Sequence, residues 1–383
     1  MKITDDVKYV GVNDHCIDLF EGQYNVPLGM SYNSYAIIDE KIAIMDSVEK
    51  GFAEEWINNI MAATDGRAPD YLVIQHMEPD HSSGITSFAE RFPSAIIVSS
   101  AKAFGMMSGF LGTAFETGRR IVTDGDILSL GRHKLNFVTA PMVHWPEVLM
   151  TYDSEDRILF SADAFGKFGA LDIDDEWECE ARRYYFGIVG KYGAQVQSLL
   201  KKLSGFDLKT ICPLHGPVLN ENLGHYIGLY DIWSSYRPES EGVCIAYASI
   251  YGNTADAAKL LADKLSKMGV RVSLSDLARC DMHEAIEDAF RYDRLVLASS
   301  TYNADIFPCM RSFIFGLAER NYQMRRVAFI ENGSWAPMST KVMKAMLEKS
   351  KNLDFATTDV RIISALNDES RAQINALADE LVK

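Results

Sequence analysis

The chain has 383 residues, which at roughly 100–200 residues per domain points to two domains and excludes a single small module. Hydrophobic residues make up 48% and charged residues 24%, enough apolar side chains for a core, so wholesale disorder is excluded. Fifty-three acidic against 38 basic residues leave a net charge of -15; with no basic patch to offset it, nucleic acid is excluded as a partner.

In chain order, apolar patterning predicts a strand over 33–46, a helix near 49–63, and strands over 71–75, 95–99, 134–139, 148–152 and 157–161. Val148–Asp163 reads as a hairpin whose polar turn is Asp153-Ser154-Glu155-Asp156. This half is mixed α/β with antiparallel content. Around Ser234–Gly242 the chain turns short, polar and Pro/Gly-bearing, which places a domain boundary between residues 240 and 241. Strands over 243–249, 270–276, 294–300, 326–331 and 358–364 then alternate with helices over 255–268, 283–290, 309–319, 338–349 and 368–382. Five such repeats predict a doubly wound parallel sheet.

The first residues, Met1-Lys2-Ile3-Thr4-Asp5-Asp6, lack a basic segment leading into an apolar core, and no apolar run approaches the ~18 residues of a membrane span. The expectation is a cytoplasmic protein with no membrane partner. The six cysteines at 16, 179, 212, 244, 280 and 309 form no Cys-x-x-Cys pair, which argues against a cysteine-bound metal and reads as small reduced core residues.

The densest chemistry is His76-Met77-Glu78-Pro79-Asp80-His81, directly after the buried-strand pattern Tyr71–Ile74. An extended chain would send His76, Glu78 and Asp80 to one side, while Pro79 favours a bend that aims His81 at a second ion. His144, Asp163 and His215 each stand just past an apolar run, where a rigid scaffold presents ligands. Four histidines remain: 15, 133, 225 and 283. His225, ten residues past His215, is a remote further candidate, and the other three read as surface or capping residues.

The pattern His-x-Glu-x-Asp-His followed by His144, Asp163 and His215 resembles the metallo-β-lactamase-fold domain of flavodiiron proteins. The segments Tyr32-Asn33-Ser34-Tyr35, His144-Trp145-Pro146-Glu147 and His215-Gly216-Pro217 also resemble that family. The resemblance implies an αββα domain in which one iron takes His76, Glu78 and His144. The other takes Asp80, His81 and His215, and Asp163 bridges them. Hydrolases of the same superfamily usually carry His-x-His-x-Asp-His. An anionic Glu78 in place of an imidazole makes a harder site that favours iron or manganese over zinc.

In the second half, Ser249-Ile250-Tyr251-Gly252-Asn253-Thr254 lies between the first strand and its helix. Hydroxyls, small residues and a helix N-terminus suit a phosphate there. The loop has neither the lysine of a Walker loop nor the Gly-x-Gly-x-x-Gly of dinucleotide folds, which suits a monophosphate. Ligands of doubly wound sheets lie beyond the carboxyl ends of the strands. Ser300-Thr301-Tyr302-Asn303-Ala304 and Asn332-Gly333-Ser334-Trp335 are therefore further candidates. This half resembles flavodoxin, which implies FMN, with Tyr302 and Trp335 covering the flavin faces. The last loop departs from the Gly-Trp-Ser-Gly-like sequence of the family.

Together the resemblances imply a reductase of dioxygen to water and/or nitric oxide to nitrous oxide, with two irons and FMN. They also imply a rubredoxin-like electron donor, a reduced deazaflavin being the alternative donor, and a head-to-tail homodimer, a tetramer being the alternative assembly. Tyr24, Trp145 and Tyr185 are candidates for lining the gas pocket. The competing readings are a zinc-dependent hydrolase with a flavodoxin docking domain and a flavodoxin-like electron carrier with a structural metal.

Overall fold

The apolar stretch over 33–46 folds as a hairpin. The polar run Asp39-Glu40-Lys41 interrupts it, and Tyr35–Ile38 pairs antiparallel with Ile42–Met45. The structure, a computed structural model, describes residues 2–383. They divide into two compact units, Met1–Asp231 and Ile232–Lys383, the division falling inside the helix Leu223–Ser234. Sequence patterning placed the boundary at 240/241, where the first strand of the second unit begins. Among the described residues no helix is long and apolar enough to cross a membrane.

The first unit holds two large sheets and two two-stranded ones, Val12–Asp14 with Met30–Tyr32 and Leu19–Phe20 with Tyr24–Asn25. The six-stranded sheet runs Val7–Tyr9, Tyr35–Ile38, Ile42–Met45, Tyr71–Val73, Ile96–Ser99, Arg119–Ile121, and is parallel from Ile42–Met45 onward. The five-stranded sheet runs Ile127–Ser129, Lys134–Thr139, Leu149–Asp153, Ile158–Phe160, Thr210–Cys212. The two face each other across one core, where Tyr35, Ile37, Val73 and Val98 meet Leu135, Phe137, Leu149 and Phe160. Outside the first sheet, Trp56 of the helix Ala53–Ala63 packs on Phe88 of the helix Ile85–Arg91 and donates its ring N–H to Ser34 Oγ at 2.9 Å. This is the sandwich of the metallo-β-lactamase class.

The five-stranded sheet aims three of the candidate ligands, and the other four follow Tyr71–Val73 in the six-stranded sheet. Lys134–Thr139 and Ile158–Phe160 are each antiparallel to Leu149–Asp153, and Thr210–Cys212 is parallel to Ile158–Phe160. Three strands therefore point the same way, and the loops carrying His144, Asp163 and His215 leave from one end of the sheet. The expected hairpin turn is present: Asp153 accepts the N–H groups of Glu155 and Asp156 at 3.3 Å, as an aspartate does in a turn.

In the second unit the strands order as Val272–Asp276, Ser240–Ala248, Tyr292–Tyr302, Arg326–Asn332, then Asp354–Phe355 and Val360–Ile362, all parallel. This is the flavodoxin order 2-1-3-4-5. The helices Asn253–Lys267 and Asp368–Val382 cover one face, where Leu261, Leu265, Ile374 and Leu381 pack on Val243, Ile245 and Val296. Their neighbours Leu295 and Leu297 point to the opposite face and are just as buried. Burial on both faces is what makes these strands continuous apolar runs.

Of the cysteines, Cys212 and Cys244 are buried, whereas Cys16 and Cys179 are exposed, against the expectation of core residues. His133 also departs from expectation. It is buried, with Nδ1 2.9 Å from Asp153 Oδ2 and Nε2 3.4 Å from Asp6 Oδ2.

Candidate metal centre

His76 follows the strand Tyr71–Val73, and its position is set by a neighbour from the adjacent strand. The buried Asp46 accepts the backbone N–H of Gln75 at 2.7 Å, that of His76 at 3.3 Å, and the Gln75 side-chain amide at 2.8 Å. Pro79 then opens a single helical turn, Pro79–Ser82, with the proline at its start where no N–H is needed. The chain is thus not extended past Glu78. Asp80 parts from His76 and Glu78 and joins His81, contrary to strand alternation.

Two clusters result, His76 with Glu78, His144 and Asp163, and Asp80 with His81 and His215. In the first, Glu78 Oε2 lies 3.3 Å from His76 Nε2 and 3.1 Å from His144 Nε2. In the second, Asp80 Oδ2 lies 3.3 Å from both His81 Nε2 and His215 Nε2. Asp163 addresses both. Its Oδ2 is 2.9 Å from His144 Nε2 and 3.3 Å from His76 Nε2, and its Oδ1 is 3.3 Å from His81 Nε2. His225 stays outside, exposed and paired with Glu178 at 3.0 Å.

All seven side chains are buried, none more than 9% exposed. Neither oxygen of Asp80 nor of Asp163 has a hydrogen-bond partner among the described residues. Buried carboxylates without hydrogen bonds are costly unless they are paired or bind a cation. Burial opposes charge on His76 and His144, yet Asp163, Glu147 and Glu78 lift His76 well above the usual imidazole range, and Asp163 and Glu78 raise His144 to about 9. Burial likewise opposes an ionised Asp163, but the imidazoles of His76, His144 and His81 hold it well below the usual carboxylate range. The field at the convergent Nε2 atoms favours positive charge. Three carboxylates and four imidazoles form a hard, mixed O/N donor set that fits two iron ions.

Second contacts orient the rings. His76 Nδ1 lies 2.8 Å from Glu147 Oε1, and His215 Nδ1 lies 2.7 Å from the Ser31 carbonyl. An acceptor at Nδ1 keeps the proton there and leaves the Nε2 lone pair for a metal. Gly216, at φ +76, lets the chain pass Lys167, whose Cγ would stand 2.7 Å from a β-carbon at that position. Sequence reading gave Asp46, Glu147 and Ser31 no role. A carboxylate three residues past His144 was the available signal for Glu147, whereas Ser31 acts through its backbone and leaves no side-chain trace.

Of the gas-pocket candidates, Trp145 sets its ring 5.2 Å from that of His76 and 6.0 Å from that of His144, and stacks on Phe110. Tyr24 donates to the Gly187 carbonyl at 2.7 Å. Tyr185 packs against Tyr230 and Phe186. Its neighbour Tyr184 is the tyrosine whose ring lies 5.5 Å from that of His215, because adjacent helical residues point about 100° apart. Burial and the charges of Asp163, Glu78 and Asp80 push the Tyr184 hydroxyl well above the usual phenol range. A further neighbour is Glu21: partial desolvation and the charge of Glu78 push its carboxyl up to about 7.

The second unit carries a cavity of about 430 Å³ beyond its strand ends. Ser249, Ile250, Tyr251, Asn253 and Thr254 line it from the first loop, Ser300, Thr301, Asn303 and Ala304 from the third strand, and Asn332, Gly333, Ser334 and Trp335 from the fourth. Ala336, Met338 and Ser364, unassigned from the sequence, complete the wall. Gly252 stands at φ +98, a conformation that turns the chain into the helix Asn253–Lys267. Thr254 and Ser300 share a hydroxyl contact of 2.8 Å. A cavity of this size, with hydroxyls and a 15-residue helix at its N-terminus, fits FMN. Tyr251 and Trp335 are 93% and 90% exposed beside it. Tyr302 is not in the wall; its ring packs edge-on against Phe307 at 5.4 Å.

Residues 30–216 match the family described as ODP family beta lactamase, and residues 245–359 match flavodoxin. A nitric oxide reductase of Moorella thermoacetica is 30% identical, the alignment covering 91% of this chain and 90% of that protein. The chain spans 47% of a longer relative, a diflavin flavoprotein of Synechocystis sp., at 32% identity. Among solved structures, rubredoxin oxygen:oxidoreductase from Desulfovibrio gigas superposes with a TM-score of 0.92 at 25% identity, covering 100% of this chain and 97% of that one. The flavodiiron protein from Giardia intestinalis does so with a TM-score of 0.92 at 26% identity, covering 100% and 95%. With both halves matched in this order and the Moorella relative aligned along nearly its whole length, the chain belongs to the flavodiiron protein family of oxidoreductases.

Proposed function

We propose that this protein reduces dioxygen to water and/or nitric oxide to nitrous oxide, taking electrons from an external rubredoxin-like donor. The observation that carries the reading is Asp163, whose two carboxylate oxygens face the two clusters separately, the arrangement a bridge between two metals requires. When bound, the two irons supply gas binding and reduction and the FMN supplies electron storage and relay. His76, Glu78 and His144 would hold one iron, Asp80, His81 and His215 the other, with Asp163 between them. Dioxygen takes four electrons and four protons to give two waters; two nitric oxide molecules take two of each to give nitrous oxide and water.

The chain's own part is to hold the ligand atoms close together, exclude bulk water and fix their protonation. Glu147 and Ser31 keep protons on the Nδ1 atoms of His76 and His215, so that Nε2 is the donor. The Ser249–Thr254 loop and the helix N-terminus supply neutral and backbone donors for the flavin phosphate. A hydrolase would call for a hydrolytic metal and give the flavin cavity no task; Glu78 and the cavity both favour redox chemistry.

We further propose a head-to-tail homodimer acting in the cytoplasm, in which the flavin of one chain serves the metals of its partner. The deciding experiment is metal and flavin analysis with anaerobic steady-state kinetics on each gas and reduced rubredoxin. Two irons and one FMN per chain with rapid gas consumption are expected. Zinc with ester cleavage and no gas consumption overturns the reading.

A further inference from the structure

The two clusters have similar donor sets but differ in what stands behind them. Behind His215 is a neutral backbone carbonyl, Ser31 O, at 2.7 Å. The Nδ1 of His81 is buried without a hydrogen-bond partner among the described residues. Behind His76 stands a carboxylate. Glu147 Oε1 lies 2.8 Å from His76 Nδ1 and also accepts the backbone N–H of Met77 at 2.9 Å, both side chains being fully buried. Its other oxygen, Oε2, is buried with no hydrogen-bond partner among the described residues.

This is a costly arrangement to keep for structure alone. A buried carboxylate pays desolvation that one imidazole and one amide only partly return, and a neutral amide would make the same two contacts. What a carboxylate adds is charge. An anion hydrogen-bonded to Nδ1–H makes the imidazole a stronger donor through Nε2.

We propose that Glu147 is a positioning and tuning residue for the metal at the His76, Glu78, His144 cluster, and that its charge makes the two metal positions electronically unequal. It holds the His76 ring with Nε2 toward Glu78 and His144 and strengthens that donor, so the metal at this position is the more readily oxidised of the pair. In the one-electron-oxidised pair the ferric ion sits at the His76 cluster. The inference rests on the diiron reading above.

The test uses the iron- and FMN-loaded full chain with Glu147→Gln and Glu147→Ala. Glu147→Gln keeps an acceptor for both N–H groups but loses the charge. It should hold two irons and raise the potential of one metal couple, with one of two Mössbauer doublets altered and the other unchanged. Glu147→Ala loses the hold on the ring as well, and iron retention against a chelator should fall about 10–100-fold at one position, with FMN content unchanged. A purely structural glutamate would leave the potential of the Gln variant where it was. If both variants match the parent in chelator resistance, potentials and Mössbauer parameters, the inference is overturned. Should Glu147→Ala fail to fold, the Gln potentials decide alone. A parent chain that binds no iron overturns both this and the diiron reading; a parent with two irons and indifferent variants overturns this inference only.

Discussion

The Nε2 atoms of His81 and His215 face each other at 2.9 Å, both rings fully buried and their centroids 4.5 Å apart. Ser31 O occupies the other nitrogen of His215, so two ring nitrogens converge with Asp80 on one point. With Asp80 Oδ2 3.3 Å from both nitrogens, the three atoms make the donor set that a shared cation needs. His215→Ala should therefore lower iron from two toward one per chain and cut gas consumption on the order of 100-fold or more. FMN content should not change. Retention of two irons in this variant would show that His215 is not a ligand.

Asp163→Asn keeps the shape of the side chain but replaces one ligating oxygen with an amide nitrogen that has no lone pair to give. Because the two oxygens serve different clusters, the expected loss is communication between metals, not only affinity. Magnetic coupling of the diferric pair should weaken, and activity should fall about 10–100-fold. Susceptibility or Mössbauer measurement in applied field would check this, and unchanged coupling would rule Asp163 out as the bridge.

The flavin site permits a separate perturbation. Thr254→Val removes a hydroxyl that contacts Ser300 at 2.8 Å at the start of the helix. Losing one hydrogen bond to a charged phosphate costs about 1.5–3 kcal/mol, hence about 10–100-fold weaker FMN binding. Gly252→Ala meets no atom within 4 Å, so its cost is that of the left-handed backbone, about 1–2 kcal/mol. Flavin fluorescence titration reads both, with iron content as the control that should stay constant.

If each flavin serves the partner's metals, mixing a metal-dead chain such as His215→Ala with a flavin-dead chain should restore activity. Random exchange makes about half the dimers mixed, each with one competent pair of two, so about a quarter of parental activity is expected. No recovery after verified exchange would exclude the head-to-tail arrangement.

Glu380 makes the second unit pH-sensitive in a defined direction. Its carboxylate accepts the N–H of Thr357 at 2.8 Å and of Thr358 at 3.0 Å and pairs with Arg326 at 2.9 Å. Burial pulls the other way, but the hydrogen bonds from Thr357 and Thr358 lower it from 4.5 to about 2. A carboxyl depressed on folding stabilises fully above its unfolded value and loses that contribution as pH falls from about 4.5 toward 2. Discounted for its exposure, Glu380→Gln should cost about 1 kcal/mol near neutrality. The difference in melting temperature from the parent should shrink below pH 4; a constant difference would refute it.

The run His76–His81 is legible as a ligand cluster because ligand chemistry belongs to residue types, and the parallel sheet of the second unit is legible because strands buried on both faces are apolar throughout. The loop Ser249–Thr254 is legible as a candidate for a similar reason, since it is contiguous, and it lines the cavity of the second unit. Side-chain direction is what local pattern says least about. Alternation alone would set Asp80 beside His76, whereas the turn opened by Pro79 sets it with His81 and His215, and the ring of Tyr302, at the end of its strand, packs on Phe307. His133 reads as a surface residue because nothing local reveals Asp153 and Asp6 around it.

By itself the sequence determined the donor types, the order of the two domains and the local loops, because these depend on neighbours within a turn or a strand. Only the tertiary structure brings the ligands together in space. His76 and His144 are 68 residues apart and His81 and His215 are 134 apart, and they converge because the loop after Tyr71–Val73 in one sheet meets the loops that leave three co-directional strands of the other. The same convergence aims one oxygen of Asp163 at each cluster and sets a carboxylate behind His76 but a carbonyl behind His215. No spacing along the chain encodes that asymmetry, because it arises from packing between segments that sequence distance keeps apart.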